Sequence, residues 1–164
     1  MNDDSDLESL AREVGAALHA RGLMLVTAES CTGGWVAEVV TSVAGSSAWF
    51  ERGFVTYSNL AKREQLAVPG ADLELYGAVS EEVACAMALG ALARSRGDVA
   101  VAVTGIAGPD GGSDAKPVGT VFVAWGRRGS APHARRFRFP GDRREVRRCS
   151  VHEALTGILA LLSR

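Results

Sequence analysis

The sequence predicts an α/β fold, and three observations lead there. Short apolar runs that suit buried strands (residues 23–26, 98–104 and 118–125) alternate with longer segments of helical periodicity. Small, glycine-rich turns separate them, at 29–34 and 105–117. The 164 residues, 47% hydrophobic and 23% charged, contain no repeat and no linker, which is the profile of one domain with a substantial core. Residues 1–5 are expected to form a flexible tail ahead of it.

In chain order, residues 6–20 read as an amphipathic helix with Leu7, Leu10, Ala11, Val14 and Leu18 on one face. Ser5 with Glu8 offers a capping box, and Gly22 a stop. A strand over 23–28 runs through the turn 29–34 into a helix over 33–42. Such a turn presents side chains and backbone N–H groups together at a helix N-terminus, where negative charge is stabilised. In the plainer reading, Ser30 or Thr32 is an N-cap. Residues 44–50 form a turn with a short helical piece, and Trp49 and Phe50 are candidates for an interface or a pocket wall. Residues 52–57 are a second strand ending at Tyr57, and 59–66 a helix carrying Lys62. Pro69-Gly70 interrupts, with a short helix over 71–76. Ser80, followed by Glu81 and Glu82, starts an alanine-rich helix over 81–95 that must pack closely against its neighbours. In the strand 98–104, Val/Ala alternation predicts a central position with the alanines under a helix. The loop 105–117 holds four glycines and two prolines, and loops of that length are usually functional or disordered. A strand over 118–125 turns at 126–129 into an antiparallel partner over 134–139. Asp142 with Glu145 makes a capping box for a long helix over 143–162.

Composition removes several function classes. Net charge is −1, so nothing global favours nucleic acid or membrane binding. No stretch approaches the ~18 apolar residues of a span, and the acidic start lacks a signal-peptide pattern. Cys31, Cys85 and Cys149 form no CxxC pair, so neither zinc nor a disulfide framework is expected, and a reducing cytoplasm fits. No spacing of His, Cys and carboxylates suggests a metal or cofactor. A small-molecule partner is expected, with no nucleic acid and no membrane. Of 18 lysines and arginines only Lys62 and Lys116 are lysines, which leaves 16 arginines. A lysine retained in such a chain marks a place where arginine will not serve, because only lysine can lose its proton when buried.

Three loops follow C-terminal ends of predicted strands: 29–34, 57–62 and 104–116. If those strands are parallel, the loops share the sheet edge at which open α/β sheets bind ligands. Ser30, Tyr57, Lys62, Thr104 and the glycine-rich loop then meet in one pocket. His19, His133 and His152 lie outside these loops, which speaks against a Ser-His-Asp triad. Residues 29–34 lack the GxxxxGK[ST] pattern of a phosphate loop. What remains is a serine nucleophile with lysine as base, or tyrosine as proton relay or oxyanion donor; Cys31 is a second possible nucleophile. Bringing a lysine from about 10.4 to about 7 costs roughly 4.6 kcal/mol of desolvation and nearby positive charge, so Lys62 must be substantially buried. Nine arginines fall between Arg127 and Arg148. They read as a solvated ribbon and helix face paired with the acidic amino terminus, with phosphate binding by Arg143 as the competing role.

Six ordered stretches carry a family resemblance: Thr-Ala-Glu-Ser-Cys-Thr-Gly-Gly (27–34), Gly-Phe-Val-Thr-Tyr-Ser-Asn (53–59), Gly-Ala-Val-Ser-Glu-Glu-Val-Ala (77–84), Val-Thr-Gly-Ile-Ala-Gly-Pro (103–109), Lys-Pro-Val-Gly-Thr-Val (116–121) and Arg-Phe-Pro-Gly-Asp-Arg (138–143). Together they resemble the CinA carboxy-terminal domain family over about residues 7–162. Its enzymatically defined members are nicotinamide-nucleotide amidases of the PncC type. The resemblance implies a three-layer α/β/α sandwich with a mixed, mostly parallel sheet, in a stand-alone, homodimeric form. It implies hydrolysis of the carboxamide of nicotinamide mononucleotide to nicotinic acid mononucleotide and ammonia, in pyridine nucleotide recycling and without a metal. Ser30, Tyr57 and Lys62 match the family's proposed catalytic residues. Cys31, Thr32, Gly33 and Gly34, with Thr104, Gly105, Ala107 and Gly108, match its binding segments. Asp110 stands where a glycine or small residue is common. Combined with the residues' own chemistry, this gives attack by Ser30 and an oxyanion held by N–H groups at the start of the helix over 33–42. The competing reading is a non-catalytic nucleotide-binding or regulatory domain using the same pocket.

Overall fold

The strand-and-helix alternation folds into three layers. A computed structural model of the chain describes residues 4–164. The elements are α1 (Ser5–Ala20), β1 (Leu25–Glu29), α2 (Trp35–Thr41), a 3-10 turn (Ser46–Ala48), β2 (Phe50–Val55), α3 (Asn59–Leu66), α4 (Gly70–Tyr76), α5 (Glu81–Ala93), β3 (Val99–Gly105), β4 (Thr120–Arg127), β5 (His133–Arg138) and α6 (Arg143–Leu162). Strand order is β2-β1-β3-β4-β5. β1 pairs in parallel with β2 and β3, while β3–β4 and β4–β5 are antiparallel. The sheet is therefore mixed, as expected, but parallel pairing makes up half of it rather than most. The three strands that precede the candidate loops are the parallel ones.

Period-two alternation explains the layers. Val99, Val101 and Val103 of β3 face a core built from α1, α2 and α6, with Leu7, Val14, Val36, Leu155 and Ile158. Ala100 and Ala102 face the opposite way, under Ala84, Met87, Ala88 and Ala91 of α5. The small β3 side chains let α5 approach, as their alternation predicts. Gly90 carries the same closeness into α3: a Cβ there would lie 1.9 Å from the Leu66 carbonyl oxygen. That contact seats the helix bearing Lys62. On the other face, Trp125 donates from Nε1 to the Ala154 carbonyl at 2.9 Å and fills the space a side chain at Gly157 would need, which seats α6.

Capping follows the sequence at two helices and departs from it at two. Ser80 Oγ accepts from the Val83 amide, and Asp142 with Glu145 forms a full capping box. At α1, Asp4 takes the cap position without a side-chain bond, so the Ser5–Glu8 box does not form. Within the expected tail of residues 1–5, Asp4 pairs with Arg144 and Ser5 opens the helix; residues 1–3 lie outside the described residues. At α2 the cap position is Gly34, not Ser30 or Thr32, and the helix start is satisfied in another way described below. Trp49 is 4% exposed and packs over Gly15 of α1, so it is a core residue, and it does not line the cavity at Ser30 described below. Among the described residues no helix is long and apolar enough to cross a membrane.

Candidate active site

β1 ends at Glu29, and the chain then turns sharply. The Ser30 amide donates to the Val103 carbonyl at 2.9 Å, which extends the β1–β3 pairing by one residue. Gly33 and Gly34 then take φ of +62° and +102°, backbone that costs an L-residue about 1–2 kcal/mol. These two glycines are what allow α2 to start directly beneath the strand end.

Lys62 comes from α3, one turn after Ser58 Oγ accepts from the Ala61 amide. Its side chain runs inward and is 1% exposed. The Nζ lies 2.9 Å from Ser30 Oγ, 2.9 Å from the Thr56 carbonyl oxygen and 3.4 Å from that of Tyr57. Ser30 itself is 8% exposed. Among the described residues no acid forms an ion pair with Lys62. Burial without a counter-ion pushes the Lys62 ammonium below its ordinary value. The sparse lysine thus occupies a place an always-charged arginine would not tolerate.

Ser30 and Lys62 open into a cavity of about 270 Å³. Tyr57, Cys31, Thr104, Gly105, Ala107, Gly108 and Arg143 line it, together with Asn59, Ala78, Val79, Ile106 and Asp110. The three loops after β1, β2 and β3 therefore share one pocket. None of the three histidines reaches it. Tyr57 is 62% exposed, and its Oη accepts from Arg143 Nη2 at 3.0 Å. Arg143 Nη1 donates to the Gly108 carbonyl at 2.9 Å, so this arginine ties the second loop to the third. The Thr104 hydroxyl donates to the Ala78 carbonyl at 2.8 Å. Cys31 is buried, and desolvation, with the nearby Glu29 carboxylate, pushes its thiol up to about 12. At neutral pH it is a thiol and not a thiolate.

Thr32, Gly33 and Gly34 do not line the cavity. Thr32 is fully buried and its hydroxyl donates to Glu29 Oε1 at 2.6 Å. Glu29, to which the sequence reading gave no role, organises the turn. It is 1% exposed, and its carboxylate also accepts from the Val36 amide at 2.8 Å and the Ala37 amide at 3.1 Å. A strand residue therefore caps α2. This corrects one expectation: the first-turn N–H groups of Val36 and Ala37 are already occupied and do not serve an oxyanion. Burial pushes the Glu29 carboxyl above its ordinary range, against the pull of these donors. The signal in the sequence was an acid closing an otherwise apolar and small-residue strand.

Arg147 was also missed as a site element. It donates from Nε to the Cys31 carbonyl and from Nη2 to the Thr32 carbonyl, both at 3.1 Å, and fastens α6 to the turn that carries Ser30. Arg144 and Arg148 instead pair with Asp4 and Asp6, the pairing expected for the acidic amino terminus. The signal was spacing: Arg143 and Arg147 are i,i+4 and share one face of α6.

Replacing Glu29 by glutamine tests the turn. Its NH₂ would meet a backbone N–H, leaving one buried donor unpaired. The expected loss is about 1–3 kcal/mol in urea unfolding, with activity reduced alongside. Unchanged stability would show that the carboxylate does not hold the turn.

Known proteins share this arrangement of chain. Residues 7–162 match the family described as the CinA C-terminal domain. A protein of Escherichia coli (strain K12) named nicotinamide-nucleotide amidohydrolase PncC is 57% identical over 152 residues, covering 93% of this chain and 92% of that protein. A protein of the same name from Pseudomonas putida is 54% identical over 155 residues, covering 94% and 96%. Among solved structures, the competence/damage inducible protein CihA from Agrobacterium tumefaciens superposes with a TM-score of 0.93 at 49% identity, covering 97% of this chain and 96% of that one.

Proposed function

Because the chain belongs to the CinA C-terminal domain family, we propose that it is a nicotinamide-nucleotide amidase whose nucleophile is Ser30 and whose base is Lys62. The substrate class comes from the relatives' names. The observation that carries the mechanism is the buried Lys62 Nζ, without an acid partner, 2.9 Å from Ser30 Oγ.

With Lys62 neutral, Ser30 Oγ attacks the carboxamide carbon and its proton passes to Nζ. The resulting ammonium returns that proton to the amide nitrogen as the C–N bond breaks, and ammonia leaves. Water then adds to the Ser30 ester, again with Lys62 taking the proton, and the carboxylic acid is released with Ser30 restored. The oxyanion needs donors other than the Val36 and Ala37 amides. The Cys31 amide follows the nucleophile directly, and no backbone or side-chain oxygen among the described residues accepts from it. Tyr57 supports this less directly, since its hydroxyl lies against Arg143 and makes no bond to Ser30 or Lys62. It belongs to the wall that holds substrate.

Purified protein given nicotinamide mononucleotide should release ammonia and nicotinic acid mononucleotide in equal amounts. Binding of the nucleotide without any turnover would leave a non-catalytic binding domain and refute the proposal.

A further inference from the structure

The wall of the cavity at Ser30 carries three side chains of formal charge. Lys62 and Arg143 are the cations, and Asp110 is the only acid. Lys62 turns to Ser30, and Arg143 turns to the Gly108 carbonyl and the Tyr57 hydroxyl. Among the described residues no cation forms an ion pair with Asp110. The loop after β3 holds the acid in place. Gly108, two residues ahead of it, is anchored by Arg143 at 2.9 Å. Gly112, two residues behind, is packed so closely that a Cβ would lie 2.8 Å from the Val118 amide nitrogen. Pro109 restricts the backbone between these two anchors.

A carboxylate in a binding wall favours a cationic ligand over a neutral one. The carboxamide of nicotinamide mononucleotide is carried on such a cation. The ring nitrogen bonded to ribose is quaternary, so the ring is a pyridinium, and that nitrogen lies three bonds from the carboxamide carbon. With the carbon at Ser30 Oγ, the ring and its charge occupy the same cavity. Lys62 is neutral in the attacking state, so it does not repel them. Tyr57 adds an aromatic ring to the wall, and aromatic faces attract cations. We propose that Asp110 is a specificity-determining residue, which selects the oxidised, pyridinium form of the nucleotide over the reduced form, whose dihydropyridine ring is neutral. This rests on the amidase reading and deepens it by naming the redox state of the substrate. Asp110 is exposed, so salt screens its charge and the preference it supplies is about fivefold. The other use of a carboxylate at this place is to accept from ribose hydroxyls. Both forms carry the same ribose, phosphate and carboxamide, so comparing them separates the two roles.

Oxidised and reduced nicotinamide mononucleotide, titrated calorimetrically into the full chain carrying Ser30→Ala, give dissociation constants free of turnover. Adding Asp110→Asn should cut the ratio of oxidised to reduced affinity about fivefold. The loss should fall on the oxidised form and leave the reduced form within about twofold. Added salt should shrink the preference in the chain that keeps Asp110 and not in Asp110→Asn. A ratio that Asp110→Asn leaves unchanged overturns the proposal, whether both forms weaken together, as for a ribose contact, or neither does. Failure of the oxidised form to bind overturns it as well. Ammonia release by the parent chain is read separately. If the ratio depends on Asp110 yet the parent releases no ammonia, the amidase reading fails and the preference for a pyridinium stands. If ammonia is released and the ratio is the same with Asp110 or asparagine, the preference fails and the amidase reading stands.

Discussion

Ser30→Ala will lose amide hydrolysis by about 10⁴-fold or more, while Cys31→Ala will stay within a few-fold of the parent. The two residues are neighbours in one turn, and their environments separate them. Ser30 Oγ is in hydrogen-bond contact with the buried Lys62 amine and opens to the cavity. Cys31 is buried beside the Glu29 carboxylate, and its thiol, pushed up to about 12, has almost no thiolate at neutral pH. Its packing is that of a small apolar residue in the core formed by α1, α2 and α6. Alanine at 31 keeps the backbone amide proposed for the oxyanion. Rates of ammonia release by the two variants decide the matter. A dead Cys31→Ala with an active Ser30→Ala would name the other nucleophile.

Lys62→Arg will be nearly as damaging as Lys62→Ala, with losses of about 10³-fold. A charge-conserving change fails here because the role needs a neutral amine. Arginine keeps its proton and is too large for a side chain that is 1% exposed. The sign of the pH dependence follows from the same burial. Desolvation lowers the Lys62 pKa from 10.5, so the neutral form grows as pH rises through that lowered value. kcat/KM should therefore climb with pH along a limb centred below 10.5 and then level. The limb should vanish in Lys62→Ala. A Lys62→Arg enzyme with a near-normal rate removes the lysine from the role of base.

The placement of the loops was legible because strand ends and glycine-rich turns are local features. Parallel pairing of β1 with β2 and β3 brought Ser30, Tyr57, Lys62 and Thr104 to one edge. The lysine argument carried over for Lys62, which is buried, but not for Lys116, whose Nζ donates to the Tyr76 carbonyl at the surface. Glu29 was harder to read. Capping rules look for a short polar side chain beside the helix start, and here the cap lies seven residues ahead of the Val36 amide it serves. Only the tight turn at Gly33 and Gly34 makes that reach possible. Arg147 was hidden among nine nearby arginines, whose individual partners depend on how α6 seats against the sheet through Trp125 and Gly157. The share of parallel pairing depends on β4, which returns antiparallel after a long loop without the helix that a parallel crossover would need.

With only two lysines in the chain, the protonation of Lys62 can be observed directly. Selective isotope labelling of lysine gives two side-chain signals by NMR, assigned with Lys62→Arg. The Lys62 signal should titrate below 10.5, at the same pH as the limb in kcat/KM. A Lys62 signal that titrates at the ordinary lysine value, or apart from the activity limb, would contradict a neutral lysine acting as base toward Ser30.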